Sequence, residues 1–348
     1  MMPPVYHLDY ETYSPQPFGG NKSVGAFRYA EDDEAAILVL AIREGDGPIK
    51  TWDELDGDNG GLALLKEACE NPDAIIWAHN AQFEHAVSIT LLHTLPGFAD
   101  ISPPQIEQWR CTAAMARLAA IPSSLDMVGE FLHLDLRKDK EGTKLIELFS
   151  KPSRPQRGAP SRRIMPDEEP EKFRRFVQYC IRDVEVECLV EKRLSIDFPL
   201  EGWALESFQL DMHMNTNGIP VNVGALEHAS KLMEEYLEQM VPVFRSQVAR
   251  PNATLWLPVT KQRKARKEVD ISEGFNPSQR ELFLEWLCGE GFTANNLQAP
   301  TVELWLEEGE SLGLSEEGRT ALETYSLISS AAVKKIPAML TMACKDGY

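Results

Sequence analysis

Near the amino terminus, Val5-Tyr-His-Leu-Asp-Tyr10 alternates between two kinds of side chain. Val5, His7 and Asp9 fall on one side, and Tyr6, Leu8 and Tyr10 on the other. A period of two belongs to a strand whose faces meet different surroundings, and no helix satisfies it. Phe27–Ala30 and Ala36–Ile42 read as the next strands, separated by the acidic turn at residues 31–34. Three strands with short links predict an antiparallel start to a mixed sheet. Leu62–Cys69 has helical Leu/Ala spacing and is stopped by Asn71-Pro72-Asp73; Ala74–Ala78 reads as a short buried strand and Gln82–His93 as a helix.

Helices are predicted over Thr112–Ala119, Ser124–Leu132 and Glu141–Phe149. Lys151–Pro170 holds five prolines, which break every periodic pattern and predict an extended loop. Glu171–Leu194 is a long amphipathic helix, with Phe173, Phe176, Val177, Cys180, Val184 and Leu189 as its apolar stripe. Beyond Asp197 the pattern turns helical, apart from Ile219-Pro-Val, so a boundary is expected there, giving domains 1–196 and 197–348. The fold class is α/β, a mixed sheet with helices, followed by a mainly α-helical region.

The chain of 348 residues carries 35 basic and 54 acidic side chains, a net charge of −19. Such a surface repels phosphate, so a nucleic-acid site has to be local or to use metal ions. The longest apolar run, Ala35–Ile42, is too short for a bilayer. No secretory signal is visible, and a cytoplasmic location, in a bacterial or phage-infected cell, is expected. The six cysteines form no CxxC pair, so reduced thiols are expected, and there is no phosphate-binding glycine loop.

Three small clusters carry chemistry. Asp9 and Glu11 stand at i and i+2 on one strand and so share a face, an arrangement that is unfavourable unless a cation neutralises it. Asn80-Ala-Gln-Phe-Glu84 follows a strand directly, at a strand-to-helix turn where α/β folds place ligands. Tyr179 and Asp183 stand at i and i+4 of a helix and aim into one place. Taken singly, each has an ordinary structural explanation: a solvated strand end, an N-cap, a core-boundary tyrosine.

In this order, and within one domain length, the three clusters resemble the Exo I, Exo II and Exo III motifs of the DEDDy 3′–5′ exonucleases, which have a DnaQ-like, ribonuclease H-like fold. The resemblance is nearer to the proofreading domain of family A DNA polymerases, those of bacteriophages especially. It is carried by His7-Leu-Asp-Tyr-Glu-Thr12, Trp77-Ala-His-Asn-Ala-Gln-Phe-Glu84, the string from Gly142 to Pro152, and Tyr179-Cys-Ile-Arg-Asp-Val-Glu-Val-Glu187, and it covers about residues 5–195. It implies two divalent ions, Mg²⁺ or Mn²⁺. Asp9 would bridge them, Glu11 and Asp183 would complete the site of the nucleophilic water, and Glu84 would support the second ion. Tyr179 would orient the water. Gln178, where a sister subgroup has histidine, favours the tyrosine subgroup. The family usually has aspartate at position 84, and its Asp-Thr pair is here Cys111-Thr112.

Residues 197–348 are similar, more weakly, to the segment leading into a family A polymerase thumb, through Leu205–Asn222, above all from Leu210 on, Phe275-Asn-Pro-Ser-Gln279 and Leu322–Leu340. No polymerase palm motif is present, so polymerisation by this chain alone is not expected; a split gene or a fragment of a longer polymerase would account for that. Two basic stretches interrupt the acidic background. Lys151, Arg154, Arg157, Arg162 and Arg163 form one, and Lys261, Arg263 and Lys264, with Arg266 and Lys267, the other. With Asn80 and Phe83 they are the expected nucleic-acid contacts. Single-stranded DNA or a primer 3′ end is the expected partner, with a separate polymerase chain and no membrane. A ribonuclease D-like RNA exonuclease and a non-catalytic polymerase accessory chain are the alternatives.

Overall fold

The amino-terminal alternation builds strand β1, Val5–Tyr13, and sets the plan of the first half of the molecule. The computed structural model describes residues 3–18, 23–134, 142–155, 160–257 and 265–348. β1 pairs antiparallel with β2 (Ala36–Glu44) on one side and parallel with β5 (Ile75–Ala78) on the other. β2 continues to β3 (Lys50–Asp53) and β4 (Gly57–Asp58), and β5 pairs parallel with β6 (Trp109–Cys111). The order β4-β3-β2-β1-β5-β6, antiparallel through β1 and parallel after it, is a ribonuclease H-like sheet.

Helices cover both faces. α1 (Ala26–Ala30), α2 (Gly61–Glu70) and α3 (Gln82–Leu91) cover the face of Tyr6, Leu8 and Tyr10, where Leu40, Ile42, Leu65, Val87 and Trp109 complete the core. Over the other face lie α4 (Thr112–Leu118), α5 (Leu125–Phe131), α6 (Gly142–Phe149) and α7 (Pro170–Leu194). Fully burying one large apolar side chain contributes roughly 1.5–3 kcal/mol, so both layers are needed to hold the sheet. α7 starts with Pro170 at its first position, where the missing N–H costs nothing.

The structure corrects several expectations. Phe27–Ala30 belongs to helix α1 and not to a strand; four residues are too few to show a period. β3, β4 and β6, of two to four residues each, carry no readable alternation. Leu189 is not in the apolar stripe of α7, where Val186, Cys188 and Val190 are buried instead. The first compact unit runs through Pro220, past the expected limit at 197, because α8 (Gly202–Asn217) packs Met212 and Phe208 into the core of the sheet. Met342–Tyr348 also belongs to this unit.

The second unit, Val221–Thr341, holds α9 (Val223–Val248), α10 (Arg280–Gly289), α11 (Ala299–Glu308), α12 (Glu316–Ser329) and most of α13 (Ala331–Met342). Its core gathers around Phe283, with ring centroids 4.7 Å from Tyr325 and 5.0 Å from Phe244. It is not wholly helical: β7 (Thr254–Leu257) and β8 (Lys267–Asp270) form an antiparallel hairpin, pairing Leu255 with Val269. No helix among the described residues is long and apolar enough to cross a membrane.

Candidate active site

Three elements converge on one place. β1 turns its polar face toward α7, so Cys180 Sγ on that helix lies 3.3 Å from Asp9 Oδ2. A bulge marks this point, for Glu11 pairs with Val39 but Thr12 with Ile37, leaving Leu38 without a partner across the ladder. Bulges recur beside active sites because they redirect side chains. On α7, Tyr179, Asp183 and Glu187 recur every four residues and form one buried stripe. Between β5 and α3 the chain turns through Asn80 at φ 71, a left-handed conformation that asparagine tolerates, and Glu84 lies in the first turn of α3.

Asp9, Glu11, Asn80, Phe83, Glu84, Tyr179 and Asp183 thereby line one cavity of about 680 Å³. The scattered acids of the sequence do come together. Asp9, Glu11 and Cys180 offer ligand atoms within 4.8 Å of one another. Glu11, Glu84 and Asp183 are buried. Burial and the nearby charge of Asp9 push the Glu84 carboxyl well above the usual carboxylate range, and its Oε2 has no hydrogen-bond partner among the described residues. Burial and Asp9 likewise push the Cys180 thiol up, keeping it neutral. Carboxylate oxygens crowded in this way, one of them buried and unsatisfied, suit a hard divalent cation.

The Tyr179 phenol hydrogen-bonds to Asp183, and burial together with the charges of Asp183, Glu11 and Asp9 raises its pKa far above the ordinary phenol value. Its ring stacks on Phe176, with planes 9° apart. Gly142, opening α6, abuts the same ring.

The basic residues divide. Lys151 and Arg154 line the cavity. Arg162 is held by Glu168 in two hydrogen bonds of 2.6 and 2.7 Å, and Arg163 by Glu54 and the face of Tyr13, so both serve structure first. Arg157, Lys261, Arg263 and Lys264 lie outside the described residues. Phe83 forms an aromatic group with Phe18 and Tyr29, centroids 4.8 and 5.7 Å away, and both of those also line the cavity. A second cleft of about 400 Å³ shares Asp9 and Asp183 and adds Arg117, Ser123 and Ser124. His79 faces both clefts and is fixed by Thr112 Oγ1 and the Ser123 carbonyl, each at 2.9 Å.

Sequence reasoning missed Phe18, Tyr29, Gly142 and the pair His7 and Glu187. The last two carried a signal. His7 shares the face of Asp9 two residues away, and Glu187 follows Asp183 by one helical turn. Their side chains meet at 2.6 Å.

No protein-family model matches the chain. A DNA polymerase of Bacillus phage SP02 is 29% identical to it over 344 residues, 97% of this chain and 46% of the polymerase. The chain is similar in sequence to a phage DNA polymerase. It spans about half the length of that relative. Among solved structures, the POL domain of Pol1 from M. smegmatis, in complex with DNA primer-template and dNTP, has a TM-score of 0.52 at 13% identity, covering 99% of this chain and 47% of that one. RNase D of Escherichia coli matches with a TM-score of 0.38 at 15% identity, over 94% of this chain and 70% of its own. The resemblance to a phage polymerase read from the motifs therefore holds, and the ribonuclease H-like fold it implies is the strand order of the sheet.

Proposed function

We propose that this polymerase homologue is a metal-dependent 3′–5′ DNA exonuclease, the proofreading part of a family A polymerase. The observation that carries the reading is the meeting of Asp9, Glu11, Glu84, Tyr179 and Asp183 in one cavity, from three separate elements. Asp9, Glu11 and Asp183 would hold divalent ions, Mg²⁺ or Mn²⁺, with Glu84 supporting them. Two such ions supply an activated water and relief of charge at phosphorus.

The residues of the chain do the rest. Tyr179 stays protonated, so it orients the attacking water through its hydroxyl and is not the base that takes the water's proton. Phe18, Tyr29 and Phe83 offer ring faces to the terminal base, a contact indifferent to sequence. Lys151 and Arg154 face phosphates in the cavity, and Arg117 faces the strand in the second cleft. Water adds to phosphorus as the bond to O3′ breaks. The products are a nucleoside monophosphate and a strand one residue shorter with a new 3′ hydroxyl.

The test is digestion of 5′-end-labelled single-stranded DNA with Mg²⁺ or Mn²⁺, beside an RNA strand of the same sequence. Stepwise shortening from the 3′ end, lost in the Asp9→Ala, Asp183→Ala double variant, is expected. Unchanged cleavage in that variant would overturn the site. Faster digestion of RNA would overturn the choice of substrate.

A further inference from the structure

Below the carboxylates lies a buried charged pair with no place in the chemistry above. His7 Nδ1 and Glu187 Oε2 are 2.6 Å apart, and both residues are buried. The second oxygen, Glu187 Oε1, has no hydrogen-bond partner among the described residues. The Glu187 charge is close enough to act on Glu84. Burial works against a charged imidazole, but Glu187 and Cys188 outweigh it and push His7 up to about 10.

An ion pair of this kind is a poor source of net stability, since removing two charges from water offsets most of their attraction. What it fixes is geometry. His7 stands two residues before Asp9 on the same face of β1, and Glu187 one turn after Asp183 on the same face of α7. The pair therefore links the two elements that carry the carboxylates, at one residue pair's distance from them. Sliding or rotating α7 by a fraction of a turn would break it.

We infer that His7 and Glu187 are positioning residues, a buried strut that sets the register of α7 against β1 and thereby the spacing of Asp183 from Asp9 and Glu11. The inference rests on the reading of those three acids as ligands of divalent ions. Neither His7 nor Glu187 is among the residues that line the cavity of those acids. Supporting groups around a metal site commonly cost 10- to 100-fold in metal affinity or activity when removed.

The experiment compares His7→Gln, Glu187→Gln and the double variant His7→Leu, Glu187→Met. Each is measured for folding by urea denaturation, for Mn²⁺ binding by calorimetry, and for kcat and KM on single-stranded DNA. Both single variants are expected to lose roughly 10- to 100-fold in kcat and in Mn²⁺ affinity, with KM for DNA little changed. The apolar double variant is expected to regain the wild-type urea midpoint while kcat and Mn²⁺ affinity remain low. Recovery of all three in the double variant would make the pair purely structural and overturn the inference. So would single variants that keep wild-type kcat and Mn²⁺ binding. If Asp9→Ala, Asp183→Ala keeps its nuclease activity, the underlying reading fails instead, and the two failures are told apart.

Discussion

Gly142 and Tyr179 are in contact at a point where no side chain fits: a Cβ on Gly142 would lie 2.0 Å from Cε2 of the Tyr179 ring. The first residue of α6 thus fixes where the phenol stands. Gly142→Ala is expected to displace the ring and lower kcat about 100-fold, the scale of a 1 Å misplacement. Alanine is the better helix former, so such a loss would not reflect a weaker helix. Steady-state kinetics beside Tyr179→Phe check this, and an unchanged kcat would remove Gly142 from the site.

Phe18 is 39% exposed, and Phe83 and Tyr29 pack beneath it. Phe18→Ala should therefore leave folding intact while removing a stacking face. Affinity for a short oligonucleotide is expected to fall by about 1–3 kcal/mol, roughly 5- to 150-fold. Fluorescence anisotropy with divalent ions chelated, so that no cleavage competes with binding, would measure it. Equal affinity would place the terminal base elsewhere.

The two kinds of basic residue in the proline-rich loop give opposite forecasts. Lys151 and Arg154 face the cavity, whereas Arg163 is occupied by Glu54 and Tyr13. Changing Lys151 and Arg154 together to alanine should reduce the slope of log K against log salt by about 1.4, near 0.7 for each phosphate that is no longer neutralised. Arg163→Ala should leave that slope alone and lower the urea midpoint. The reverse pattern would exchange their roles.

His85 is buried beside Trp109, and neither ring nitrogen has a hydrogen-bond partner among the described residues. Burial, helped by the charge of His213, lowers its pKa from 6.5 to about 4. As pH falls below 6.5 the unfolded imidazole takes a proton first, so stability present at neutral pH is lost on the way to pH 4. The full effect is about 3 kcal/mol at most. Urea midpoints between pH 7.5 and 4.5 should fall more steeply for the wild type than for His85→Leu. Parallel curves would count against a neutral buried His85.

Much of this was legible in the sequence, and the reasons are specific. β1 declared itself because Tyr6, Leu8 and Tyr10 enter the core while His7, Asp9 and Glu11 do not. The helical spacing of Tyr179 and Asp183 put both side chains into the cavity as expected. β6 stayed hidden because three residues hold no period, and the β7–β8 hairpin because its partners are ten or more residues apart in a charged stretch. The fate of Arg162 and Arg163 depended on Glu168 and Glu54, and Glu54 is more than a hundred residues from its partner. Long-range pairing of that kind leaves no local trace.

The bulge at Leu38 separates the tolerances of two adjacent strands. On β2, Leu38 and Val39 both join the apolar cluster beneath α7, so the phase of that strand already slips by one residue where it passes the site. β1 has no such allowance. A single inserted or deleted residue between Tyr6 and Glu11 would send the carboxylates into the tyrosine-lined core and the tyrosines toward α7. In β1, folding and chemistry are both read from the same parity: the count of residues that buries Tyr6, Leu8 and Tyr10 is the count that delivers Asp9 and Glu11 to the cavity.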